Sequence, residues 1–373
     1  MTPTEILLRE LIALPSVNPA FVPLNDPNSG EKTVADFLTS IAATARLDVE
    51  QREVSPSRSN VLIRLSPSGP VRHRVILAPH MDTVPAENFV PVTKGDRLFG
   101  RGACDTKGSI AAMFTALASV ASNSSRPQNT EIVLACLIDE ENGQSGSRAL
   151  TAQGLRGDLA IVGEPTKVRV VTAHKGDVWL TIRTRGKAAH GSRPHLGVNA
   201  IHEMARVVDV IERQYAARLA RRKHPLLGWP TVNVGTIRGG SQPNIVPDEC
   251  EISVDRRTIP GETNASVKRE ITTLLRASKL RAQVLDQKTA PCWPMETNSK
   301  TPFVKRFIES IGQRELSGVA YFSDAAIFAQ SGTPAVIFGP GDIAQAHTVD
   351  EWISLRSLER ATARLKKFLI SLP

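Results

Sequence analysis

Residues 131–143 read Glu-Ile-Val-Leu-Ala-Cys-Leu-Ile-Asp-Glu-Glu-Asn-Gly. The first eight are almost continuously apolar. A strand with one wet face alternates apolar and polar residues, whereas an unbroken run marks a strand buried on both faces, as in a parallel sheet covered by helices. The neighbouring sequence repeats the theme. Residues 60–65, 74–78 and 158–162 read as further short strands, and the Ala-rich stretch 109–122 as a helix. This alternation predicts an α/β sheet with helices over it.

The character changes after Gly176. Residues 178–184 (Val-Trp-Leu-Thr-Ile-Arg-Thr) alternate, as a half-buried strand does. A long helix is expected over 197–214, strands over 231–237 and 249–255, a helix over 265–277 and a strand over 282–285. Strand, helix, strand, strand, helix, strand is the ferredoxin-like order. Helix and strand alternation then returns, with helices over 301–311, 323–330 and 355–371 and a strand over 335–338. The expected organisation is a catalytic domain formed by 1–176 and 288–373, with a second domain, 177–287, inserted into it. At the N-terminus, Thr2-Pro3 followed by Glu5 predicts a helix opened by a capping box with Pro at its first position.

Composition narrows the function. With 41% hydrophobic and 22% charged residues in 373, the chain is globular rather than disordered. Only 5% of residues are aromatic and two are Tyr, which argues against a stacking platform for single-stranded nucleic acid. The net charge of +9 is spread out, and its densest cluster, Arg218, Arg221, Arg222 and Lys223, reads as a solvated loop rather than a nucleic-acid site. Four cysteines without a CxxC pair exclude a zinc ribbon and suit a reducing, cytoplasmic setting. The N-terminal helix carries Glu5, Arg9 and Glu10 in its apolar pattern, unlike a signal peptide, and no apolar run is long enough to span a membrane.

Acidic and histidine residues recur where strands end, which is where open α/β sheets place ligands. The strand at 74–78 runs into His80-Met81-Asp82. A spacing of two puts both side chains on one side of an extended chain, so Asp82 can hold one ring nitrogen of His80 and leave the other for a metal. The loop 100–108 (Gly-Arg-Gly-Ala-Cys-Asp-Thr-Lys-Gly) lacks P-loop spacing and is better suited to presenting Asp105 from a tight turn. After the strand at 131–138, Asp139-Glu140-Glu141 is either a solvated loop or a cation site, since adjacent carboxylates repel one another. Glu164 follows the strand at 158–162, and His347 follows the one at 335–338. Two His and three carboxylates (His80, Asp105, Glu141, Glu164, His347) suit two zinc ions sharing a carboxylate. Glu140, beside a ligand but pointing elsewhere, can move a proton between water and a leaving amine.

Together these motifs resemble the M20 family of dinuclear zinc deacylases and peptidases, over nearly the whole chain. The resemblance implies a zinc-peptidase-like α/β catalytic domain with an inserted ferredoxin-like α+β domain acting as lid and dimerisation module. It implies that Asp105 bridges two Zn2+, with Co2+ or Mn2+ able to use the same donors, that His80 and Glu164 complete one site, and that Glu141 and His347 complete the other. Glu140 would be the catalytic base and Asp82 the partner of His80. The resemblance also singles out His190, in Ala189-His190-Gly191-Ser192, as an oxyanion donor. It further points to Asn244 and Arg257 as groups for a substrate carboxylate, Arg257 being preferred over Arg256 because the pattern is Asp-x-Arg.

Within the family, Ala173-His174-Lys175-Gly176, residues 197–201, Asn233-Val234-Gly235 and Gln345-Ala346-His347 resemble the acetylornithine deacetylase branch. Removal of an N-acyl group, foremost acetyl from ornithine in arginine biosynthesis, is therefore the expected activity. Tyr321-Phe322-Ser323-Asp324-Ala325 resembles the broader deacylase and carboxypeptidase branch instead. The rivals are an exopeptidase or a succinyl-diaminopimelate desuccinylase using the same metals, and a catalytically silent dimeric binding protein. Expected partners are a small N-acyl amino acid or peptide and a second copy of the chain, with no nucleic acid and no membrane.

Overall fold

The computed structural model describes residues 1–87, 89–122, 126–287 and 290–373. The chain divides into two compact units, Met1–Thr172 with Thr297–Ser317 and Ser323–Pro373, and Ala173–Glu296 with Gly318–Phe322. The second unit starts at Ala173 because Ala173–His174 is a strand between Met295–Glu296 and Gly318–Val319. Residue 288, where the returning catalytic segment was expected to begin, lies outside the described residues.

In the first unit a six-stranded sheet carries β1 (Asp48–Ser55), β2 (Arg58–Leu65), β3 (His73–Pro79), β4 (Thr130–Cys136), β5 (Leu159–Gly163) and β10 (Ala335–Ile337). Their spatial order is β1-β2-β4-β3-β5-β10. The first two are antiparallel to each other and β2 is antiparallel to β4, while β4, β3, β5 and β10 run parallel. The apolar runs at these parallel strands are buried almost end to end. Helix α3 (Lys107–Ala121) packs against both α1 (Pro3–Ile12) and α7 (Leu355–Ile370). Its small, apolar residues face inward nearly all round, as a helix sandwiched in a core requires.

From β3 the chain crosses to β4 on one side, and from β4 it returns to β5 on the other side of β3. The topological switch point therefore lies between β3 and β5, where the carboxyl ends of Pro79 and Gly163 are paired. Gly146, in α4 (Ser145–Ala152), approaches the end of β4 so closely that a Cβ would meet Ile138 O and Asn60 Oδ1 at 2.6 Å. Gly146→Ala is expected to lose about 1–3 kcal/mol of stability, read as a lower urea midpoint; an unchanged midpoint would mean that α4 shifts freely.

The second unit is a four-stranded antiparallel sheet, with β6 (Gly176–Arg185), β7 (Thr231–Gly239), β8 (Glu249–Thr258) and β9 (Ala282–Asp286) in the order β7-β8-β6-β9. With α5 (Ala200–Asp209) after β6 and α6 (Asn264–Ala277) after β8, this is the ferredoxin-like arrangement. Val178, Leu180 and Ile182 point into its core while Trp179 stays partly exposed, which is the alternation seen in the sequence.

The structure corrects several local expectations. The helix expected from 197 starts at Ala200 on an Asn199 cap and continues through a π-helical segment, Val210–Tyr215, to Leu219. At α1 the capping box is half made: Thr2 accepts the Glu5 N–H, but the Glu5 carboxylate turns to Arg9. Helix α2 (Lys32–Thr44) and β1 are present in addition to the elements expected from the sequence. Strand β1 is a polar, half-exposed edge, Asp-Val-Glu-Gln-Arg-Glu-Val-Ser, so its apolar signal is weak.

Candidate metal centre

The site is assembled at the carboxyl ends of β3, β4 and β5, all within the first unit. Strands β3 and β4 stay bonded past their ends, with Met81 N–H donating to Leu137 O at 2.7 Å, so His80 lies beside the turn after β4. The Nδ1 of His80 sits 2.9 Å from the backbone oxygen of Asp82 and 3.3 Å from its carboxylate. Its Nε2 is thereby left to face Asp105 Oδ1 at 3.1 Å, with Glu164 Oε1 at 3.9 Å. On the other side of Asp105, His347 Nε2 lies 3.4 Å from Oδ2 and 3.0 Å from Glu141 Oε2. Asp105 thus stands between two histidines, each with a second carboxylate.

Donor atoms of His80, Asp105 and Glu141 lie within 4.8 Å of one another, and so do those of His80, Glu140 and Glu164. Distance alone therefore places Glu140 among the donors and does not separate a base from a ligand. The turn that carries it is buried, which removes the solvated-loop alternative: Asp139 is 6% and Glu140 8% exposed.

Residues with no signal in the sequence shape this turn. Asp82 accepts the backbone N–H groups of Glu140 and Glu141 at 3.1 Å each and the Asn18 amide at 2.8 Å. Asn18 also donates to Asp139, whose backbone is left-handed at φ 65°. Buried Glu31 takes the Asp139 N–H and pairs with Arg58. Asn18, Glu31 and Arg58 come from distant segments, so no local pattern announces them. Cys104, beside Asp105, is a packed thiol against Gly341, and burial pushes it well up, out of the reactive range.

The electrostatics are those of a site short of positive charge. Burial, then the charge of Glu164, pushes Glu140 well above the usual carboxylate range; burial, then Asp105, does the same to Glu164. Burial and the neighbouring Asp105 push Glu141 up to about 7. Hydrogen bonds to Asp105 and Glu141 push His347 up to about 10. Buried Glu164 Oε1 has no hydrogen-bond partner among the described residues. Converging carboxylates, an unused buried oxygen and two histidines, with no thiolate among the donors, fit divalent metal ions bound through nitrogen and oxygen.

The remaining candidates lie in the second unit. The loops carrying His190 and Asn244 are tied together by Gly191 N–H to Asn244 O at 2.7 Å and Val246 N–H to Ala189 O at 2.8 Å. His190 is exposed, and its Nδ1 accepts the Ser192 N–H at 3.2 Å. Arg256 is fully buried and occupied by Tyr215 and Glu262. Arg257 is half-buried in a two-pronged pair with Asp255, both contacts 3.0 Å. Of the two arginines, only Arg257 has a guanidinium within reach of a solute.

The family model for peptidase family M20/M25/M40 matches residues 76–371. An acetylornithine deacetylase from Edwardsiella ictaluri is 31% identical over 365 residues, covering 93% of this chain and 92% of that protein. Among solved structures, the aminopeptidase PepT from Bacillus cereus superposes with a TM-score of 0.80 at 22% identity, over 99% of this chain and 97% of that one. A dinuclear metal-binding peptidase of the M20 family from Bacillus subtilis gives a TM-score of 0.72 at 11% identity, over 98% and 96%.

Proposed function

The chain belongs to peptidase family M20/M25/M40 and is a hydrolytic enzyme, and from that premise we propose that it is a dinuclear zinc hydrolase that removes the acetyl group of N-acetylornithine. The observation that carries the chemistry is Asp105, placed between His80 and His347 with Glu164 and Glu141 alongside. In this reading Asp105, His80 and Glu164 would hold one Zn2+, and Asp105, Glu141 and His347 would hold the other. When bound, the metal pair acidifies water and polarises the acyl carbonyl.

The chain's own groups do the rest. Glu140 takes a proton from the attacking water on its carboxylate and delivers it to the departing amine. Asp82 orients His80 through Nδ1 and, by accepting two backbone N–H groups, keeps the Glu140 turn in place. His190 is assigned to the oxyanion. Asn244 and Arg257 are assigned to the substrate carboxylate, which a guanidinium fork takes in two parallel hydrogen bonds.

Likeness to a deacetylase over nearly the full length of both chains supports the substrate. The reading extends to a place in arginine biosynthesis, a cytoplasmic location, and a homodimer formed through the ferredoxin-like unit. The outer strand of that unit, β7, is largely exposed along its length.

The test is hydrolysis of N-acetylornithine by the zinc-loaded protein, beside other N-acyl amino acids, N-succinyl-diaminopimelate and dipeptides, with chelator controls. Chelator-sensitive turnover highest on N-acetylornithine is expected. Turnover confined to other acyl amino acids or to peptides would keep the zinc chemistry and discard the pathway. Turnover on none of them would sink the substrate class altogether.

A further inference from the structure

Four residues beyond His347 lies a carboxylate that the chemistry above does not use. Glu351 is 3% exposed and is aimed at the loop that presents Asp105. Its Oε1 accepts the backbone N–H groups of Cys104 at 2.7 Å and Asp105 at 2.9 Å. Its Oε2 accepts Arg101 Nη1 at 2.8 Å and the Gly102 N–H at 3.0 Å. Its backbone oxygen takes the Gly100 N–H at 3.0 Å. Immediately afterwards, Trp352–Ser354 pairs with Arg97–Phe99 as a short antiparallel ladder.

We propose that Glu351 is a positioning residue that sets Asp105 against His347, making one chain segment the source of a metal ligand and the brace for the bridging ligand. The proposal rests on the reading of Asp105 and His347 as ligands and deepens it. Both oxygens of Glu351 face two donors each, so the position demands an acceptor-only group of this length. Glutamine must turn its NH2 towards two donors, and aspartate falls a methylene short. The loop is Gly-rich and has few side chains of its own to hold it, so the direction of the Asp105 side chain depends on these ties. Arg101 offsets the charge of Glu351, which lets a further carboxylate stand beside an already acidic cluster.

The test is Zn2+ titration against a competing chromophoric chelator, well below the melting temperature, with circular dichroism of the metal-free proteins alongside. The wild type comes first. Failure to take up two ions overturns the reading of the centre and this proposal with it. For Glu351→Gln, zinc affinity is expected to fall about 10- to 100-fold, as for other groups that orient metal ligands. Glu131→Gln breaks an arginine–carboxylate tie to Arg74 at the opposite end of the sheet and is expected to leave the titration unchanged. Wild-type zinc affinity in folded Glu351→Gln, with two ions on the wild type, overturns only the role of Glu351. If that variant does not fold, Arg101→Gln, which leaves the three backbone N–H ties to the Glu351 carboxylate, is expected to lose about tenfold; wild-type affinity there overturns the proposal equally.

Discussion

Glu140→Gln is expected to keep both metal ions and the fold, and to lose turnover on N-acetylornithine by about a hundred- to ten-thousand-fold, the range of a general base. Glutamine matches glutamate in shape and fills the same buried turn, so the backbone ties of residues 140 and 141 to Asp82 survive. What disappears is the capacity to hold a proton. The variant also resolves an ambiguity in the geometry, because Glu140 lies within metal-binding distance of His80 and Glu164. A base loses kcat and retains metal, whereas a ligand loses metal first. The measurements are steady-state kinetics and metal content on one preparation. Turnover comparable to the wild type would refute the assignment, and a lost ion would make Glu140 a ligand.

Asp105→Asn is expected to have the broadest effect of any single substitution at the centre. Asp105 contacts both histidines, through Oδ1 to His80 at 3.1 Å and Oδ2 to His347 at 3.4 Å. An amide offers one neutral oxygen where the carboxylate offers two charged ones, so one half-site loses its shared ligand and the other keeps only an uncharged donor. Glu164→Gln and His347→Asn each weaken only one. The readout is the thermal shift on adding Zn2+. For the wild type, zinc at a hundredfold excess over its Kd stabilises by about 2.7 kcal/mol per site. Asp105→Asn is expected to show almost none of this and no measurable turnover. A full zinc-induced shift in that variant would show that the ions do not share this residue.

Much of the fold was legible because its signals are local. The unbroken apolar run before Asp139 marks a doubly covered strand whatever surrounds it, and the strict alternation from Val178 marks a half-wet one. Strand β1 gives little signal because an exposed edge needs no apolar face, and α5 starts at Ala200 rather than at 197 because the Asn199 side chain caps it there. The candidate donors were legible for a related reason. A parallel sheet gathers the carboxyl ends of its strands at one edge, so each polar residue just past an apolar run is directed towards the same place.

The two kinds of sheet are written in the sequence, and so is the order in which acids and histidines follow its apolar runs. These follow from side-chain periodicity and from residue order, both of which act over a few positions. How those side chains are aimed is set by contacts between distant segments. Asn18, Glu31 and Arg58 grip the turn after β4, and Glu351 grips the loop of Asp105. Arg256 is consumed inside a buried network while its neighbour Arg257 reaches the surface. Each depends on partners far apart along the chain, where a carboxylate is bound to particular donors only after the backbone has closed around them, and no spacing of residue types encodes that meeting.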